Sequence, residues 1–144
     1  MMLTNKTLGA LLGCVALGAL ALPTAAVAMD PMVTPKVVFQ VSEGDAAKWN
    51  LALNNAKNVQ KDLKGAQIEI VAYGPGIGML KADSEVANRV SEAVDSGVKV
   101  VACGNTMKGQ KLTKEDMNPK IGYVKAGVVE LMDRQMAGYT YIRP

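Results

Sequence analysis

Apolar residues fall along the chain in short runs separated by amphipathic stretches. Lys36 to Ser42 (KVVFQVS) is rich in β-formers, Val37, Val38, Phe39 and Val41, and its near-continuous apolarity is that of a strand covered on both faces. Glu43-Gly44-Asp45 then turns the chain, with Asp45 placed to cap a helix. From Ala46 to about Leu63, Trp49, Ala52, Leu53, Ala56, Val59 and Leu63 recur at helical spacing, with Asn50, Asn54, Lys57, Asn58 and Lys61 between them as a polar face. Gly65 ends that helix. Gln67 to Tyr73 (QIEIVAY) reads as a second strand, and Gly74-Pro75-Gly76-Ile77-Gly78-Met79-Leu80 as a loop.

Asp83 or Ser84 is positioned to cap a second helix, whose buried stripe is Val86, Ala87, Val90, Ala93 and Val94 and whose end is Gly97. Val98 to Ala102 is a third strand, with Cys103 its C-terminal step. Gly104 to Pro119 reads as a polar connection with one helical start at Thr113. Ile121 to Val124 is a short fourth strand, Ala126 to Met136 a helix with Val128, Val129, Leu131, Met132 and Met136 apolar, and Tyr139 to Ile142 a last strand after Gly138. Strands alternating with helices predict a three-layer α/β/α domain with a mostly parallel five-stranded sheet, doubly wound and flavodoxin-like; the strand order is left open.

The N-terminal pattern differs. Lys6 precedes an apolar stretch from Leu8 to Leu22 that Pro23 breaks, followed by Ala26-Val27-Ala28. At roughly 15 residues the stretch is short for a membrane span and suits the core of an export signal. The expectation is a signal peptide over 1–28 cut after Ala28, a short leader over 29–35, one domain over 36–144, and a periplasmic or secreted protein with no stable membrane span in its mature part. Leu11-Leu12-Gly13-Cys14 offers a lipoprotein signal as the competing reading, but the apolar run continues past Cys14.

A formal charge of +3 with lysines dispersed among acids, and few aromatics, gives no support to nucleic acid binding. With no histidine in the chain, Ser-His and Cys-His pairs, His zinc sites and imidazole bases are excluded. After cleavage Cys103 is the sole cysteine, a leftover thiol in an oxidising compartment. In a parallel sheet the turns Ser42 to Asp45, Gly74 to Met79 and Cys103 to Thr106 share one edge, where open α/β sheets bind ligands.

Cys103 is thus the candidate reactive residue. Gly74, Pro75, Gly76, Gly78, Gly104 and Asn105 are candidates to line its site with backbone amides that favour a thiolate. Lys108 and Lys111, just beyond Cys103, are placed to attract an anion but read better as ordinary surface lysines. A structural role for Cys103, as a small buried side chain, stays open. Met79, Met107, Met117, Met132 and Met136 raise Cu(I) binding through thioethers, but Met132 and Met136, four apart on a helix, read better as core packing. No cofactor and no metal is implied.

Cys103-Gly104-Asn105-Thr106 after VKVVA is similar to the cysteine loop of DsrE/DsrF-like proteins. So are EGDAAKWNLALNNAKN after the first strand, VAYGPGIGML after the second, and the closing KAGVVELMDRQMAGYTYIRP. The resemblance covers Lys36 to Pro144. It implies a DsrE-like fold, homo-oligomers that include trimer-based ones, and a Cys103 that matches the cysteine used for sulfur transfer between donor and acceptor proteins. Where related sequences often carry histidines near the ends of the first two strands, this chain has Gln40 and Tyr73.

Overall fold

A computed structural model describes residues 33–144. The segment read as an export signal, its cut after Ala28 and Cys14 lie outside the described residues. Five strands, β1 (Lys36–Val41), β2 (Gln67–Ala72), β3 (Lys99–Cys103), β4 (Gly122–Val124) and β5 (Thr140–Ile142), form one sheet in the order β4-β3-β2-β1-β5, every pair parallel. The helices are α1 (Ala46–Asp62), α2 (Ala87–Asp95), α3 (Gly104–Gly109) and α4 (Gly127–Met136).

The order decides which face each helix covers. From β1 to β4 the chain steps one way, so right-handed crossovers put α1 and α2 on one face. The step from β4 back past β1 to β5 reverses direction, and α4 covers the other face. Phe39, Ile70, Ala72, Val100 and Ala102 bury under α1 and α2, whereas Val38, Val71 and Val101 meet Leu131 of α4. β1, β2 and β3 are therefore buried on both faces, as their runs of valine and isoleucine predict.

Local signals hold in most places. Asp45 caps α1 through its side chain, which accepts from the Ala47 amide at 2.9 Å. Gly65, Gly97 and Gly138, at positive φ, follow α1, α2 and α4. Three expectations are corrected. Gly74–Leu80 is a 3-10 turn that buries Ile77, Met79 and Leu80, because those side chains fill the core beneath α1 and α2. The second helix begins only at Ala87, with no side-chain cap, since the Ala87 amide bonds the Ser84 carbonyl in a preceding turn. Residues 104–109 form α3 rather than irregular chain.

The largest departure is in α4. Only Gly127 and Leu131 are buried, while Val128, Val129, Met132 and Met136 face solvent, against the core packing read for Met132 and Met136. Glu69 of β2 explains the turn of the helix. Its buried carboxylate lies under α4, with Lys99 Nζ at 3.1 Å and Arg134 Nε at 3.3 Å; Lys99 and Arg134 also reach Glu130, at 3.2 and 3.0 Å. A buried charge must be paired, and that demand keeps Arg134 on the sheet side, where Glu130 shares the same two cations, and leaves the apolar positions facing outward.

Burial holds the Glu69 carboxyl above its usual range, with the hydrogen bond that protonated Glu69 donates to Glu130 acting in the same sense. Glu130 lies below its usual range: burial opposes ionisation, but hydrogen bonds with Glu69 and Lys99 outweigh it.

Candidate functional site

The exits of β3 and β4 leave the sheet toward opposite faces, β3 into α3 and β4 into α4. Such a divergence is the crevice where open α/β sheets place their ligands. Cys103, last residue of β3 and N-cap of α3, stands at it. Its sulfur accepts from the Thr106 amide at 3.4 Å. The Thr106 hydroxyl accepts from the Gly74 amide at 2.9 Å, which leaves its own proton to donate to the sulfur.

The other side of the crevice is closed by the start of α4. A Cβ on Gly104 would lie 3.2 Å from the Val124 carbonyl oxygen, so the absence of a side chain there lets α3 and β4 approach. The Asn105 amide donates to the Lys125 carbonyl at 3.0 Å. Gly127, first residue of α4, turns its amide toward Cys103. Burial opposes ionisation of Cys103, but the Thr106 hydroxyl and the amides of Gly127, Thr106 and Asn105 outweigh it and hold the thiol below its ordinary pKa.

Cys103 is 5 % exposed, yet it belongs to neither apolar cluster. It caps α3 and stands opposite Val124 of β4, and the Tyr73 ring packs on Gly127, where a Cβ would lie 3.1 Å from it. Burial raises the Tyr73 phenol above its usual range, with the nearby Tyr141 hydroxyl in the same sense.

Beyond Tyr73 a chain of polar groups follows the sheet edge. Tyr141 donates to Gln40 at 2.6 Å, Gln40 to Ser42 at 3.1 Å, and Ser42 to Glu43 at 3.2 Å, while Arg143 pairs with Glu43. Glu43 is held below the usual carboxylate range, first by the hydrogen bond from Arg143.

The glycine-rich turn reaches the site at one point only. The amide of Gly74, at φ 55, serves Thr106, whereas that of Gly76 bonds the Ser42 and Tyr73 carbonyls and that of Gly78 is not directed at the sulfur. Gly76 packs so tightly on β1 that a Cβ would lie 2.2 Å from the Val41 carbonyl oxygen, and Gly78 lies against the Trp49 ring. Pro75 is exposed, as are Asn105, Lys108 and Lys111.

Two cavities, of about 250 Å³ between α1 and α2 and about 360 Å³ beside Val33, Leu63 and Ile142, lie away from Cys103. Among the described residues the methionines do not converge: Met79, Met107 and Met117 are buried in the core on the α1 and α2 side, and Met132 and Met136 are exposed on α4. Among the described residues no group of three or more Cys, Asp and Glu is placed to hold a metal ion, and no helix is long and apolar enough to cross a membrane.

Thr106 and Gly127 escape the sequence reading as residues of the site. A threonine three places after a strand-ending cysteine is the spacing of a helix cap, and would have pointed to Thr106. Nothing local marks Gly127, which the β4 crossover brings in.

The model of the DsrE/DsrF-like family matches residues 35–144. No curated protein matches the chain. A solved structure of a protein of unknown function, MTH1491 from Methanobacterium thermoautotrophicum, is 36 % identical with a TM-score of 0.74, over 76 % of this chain and 99 % of that one. A second, the conserved protein of unknown function BT1422 from Bacteroides thetaiotaomicron, is 16 % identical with a TM-score of 0.59, over 76 % of this chain and 94 % of that one, a likeness of fold.

Proposed function

This chain belongs to the DsrE/DsrF-like family, and from that premise we propose that it is an exported sulfur carrier, holding sulfane sulfur on Cys103 and passing it to an acceptor thiol. The observation that carries the reading is the Thr106 amide donating to the Cys103 sulfur at 3.4 Å, with the Thr106 hydroxyl and the Gly127 amide facing the same sulfur. They supply what a nucleophilic thiolate needs at neutral pH in a chain without histidine. Cys103 attacks the outer sulfur of a donor persulfide, R–S–SH. The donor S–S bond breaks with its electron pair on R–S⁻, and a Cys103 persulfide forms. An acceptor thiolate then attacks that outer sulfur, and Cys103 leaves as the thiolate. The same donors stabilise it as nucleophile and as leaving group.

Iodoacetamide labelling of the folded protein across pH tests the reading. Alkylation of Cys103 should rise with a midpoint below the roughly 8.5 of a free cysteine. A second reading, a structural Cys103 in a binding module for a small anion or partner loop, is favoured by the 5 % exposure. It requires Cys103 to stay unmodified until the protein is denatured, and that result would end the carrier reading.

A further inference from the structure

Tyr73 follows the last residue of β2, and Cys103 is the last of β3. Ala72 pairs with Ala102 in the parallel ladder, so the next step sets Tyr73 level with Cys103 on the neighbouring strand. Val71 and Val101, two residues earlier on each strand, pack under α4, and side chains two apart share a face. Tyr73 and Cys103 therefore stand side by side on the α4 face. Gly127 agrees with this placement, since its amide faces the sulfur and a Cβ on it would lie 3.1 Å from the Tyr73 side chain. Tyr139 and Tyr141 donate their hydroxyl protons to Gln67 and Gln40, at 3.0 and 2.6 Å. The Tyr73 ring is half-buried, yet among the described residues nothing hydrogen-bonds its hydroxyl, a group that ordinarily finds a partner when it leaves water. That hydroxyl lies within electrostatic reach of Tyr141 and Arg143 on the β5 side and of Cys103 on the β3 side.

We propose that Tyr73 is a catalytic residue of the carrier, its hydroxyl donating to the outer sulfur of the Cys103 persulfide, an inference that rests on the carrier reading. In a persulfide the outer sulfur stands about 2 Å beyond the inner one. Thr106 and Gly127 hold Sγ from α3 and α4, so the second sulfur extends past the donors of the first and needs one of its own. Cys103 has two neighbours at its level in the sheet. Val124 of β4 offers no side-chain donor, and Tyr73 offers a phenol. Burial keeps that phenol protonated at neutral pH, so it donates and does not act as a base. When an acceptor thiolate attacks the outer sulfur, a donor there draws charge from that atom and lowers the repulsion between two electron-rich sulfurs. No atom leaves Tyr73: the outer sulfur passes to the acceptor with its proton, and the electron pair of the broken S–S bond stays on Cys103 Sγ. Thr106 thus serves the thiolate and Tyr73 the loaded sulfur.

The test compares wild type with Tyr73→Phe, which keeps the ring on Gly127 and removes only the hydroxyl. Each protein is loaded with polysulfide, freed of excess reagent and mixed with glutathione, and the added sulfur on the Cys103 peptide is followed by mass over time. Tyr73→Phe should load, with circular dichroism unchanged, and its unloaded thiol should be alkylated by iodoacetamide with the wild-type pH midpoint. Its release of sulfur to glutathione should be about tenfold slower, the effect of losing one hydrogen bond to a charged atom. Release at the wild-type rate overturns the proposal. So does an alkylation midpoint that moves along with the release rate, since the hydroxyl would then act on Sγ itself. A wild type that takes up no sulfur ends the carrier reading and this inference together, whereas loading followed by equal release from both proteins removes only the role of Tyr73.

Discussion

Thr106 governs how readily Cys103 ionises, because it offers the sulfur both a hydroxyl and an amide while its own oxygen is held by Gly74. Thr106→Val keeps the shape and the amide and loses the hydroxyl. A hydrogen bond to a charged group contributes about 1.5–3 kcal/mol, so alkylation of Cys103 at neutral pH should slow about tenfold and its pH midpoint should move up. Glu69 gives a second prediction. In the folded state it holds its proton more tightly than in the unfolded chain, so stability falls as pH rises from the ordinary carboxylate range toward its raised value. Glu130 acts oppositely, adding stability as pH rises toward that range. Denaturant titrations from pH 3 to 8 should show the falling limb in the wild type and not in Glu69→Gln. Cys103 was legible from its place after a valine-rich run. Glu69 was not, because an acid within an apolar strand says nothing of the cations that will meet it from β3 and α4.

At the scale of elements, the strands and α1 could be read because side-chain period and capping residues are local. The Gly74–Leu80 turn could not: its glycines suggest an open loop, but they serve close packing of the turn on β1 and on Trp49. Gly76→Ala forces a Cβ into the Val41 carbonyl and should cost about 2–4 kcal/mol, measured as a lower urea midpoint. Most of the candidate glycine site was legible as sequence and differs in role, since only the Gly74 amide serves the cysteine loop. α3 escaped because it is short and capped by a cysteine. α4 was recognised as a helix, but its orientation depends on Glu69 and Lys99, residues distant in sequence. Gly127→Ala presses on the Tyr73 ring and disturbs the amide beside the sulfur. Its Cys103 should titrate at higher pH than wild type in the same alkylation assay, with the sheet intact by circular dichroism.

At the scale of the molecule, the parallel α/β class followed from alternating elements, whereas the order β4-β3-β2-β1-β5 is a property of pairing between segments far apart in the chain. That order makes the site. Only because β5 returns to the far side of β1 does α4 cross the second face, and only then do two helix starts meet at Cys103. The family match over residues 35–144 agrees with this architecture, and the carrier reading gives the crevice its use. The most direct measurement is the intact and peptide mass of the protein after incubation with polysulfide and removal of excess reagent. One added sulfur atom, mapped to the peptide that contains Cys103 and absent in Cys103→Ser, is the predicted result. A wild type that gains no sulfur on that peptide contradicts the account.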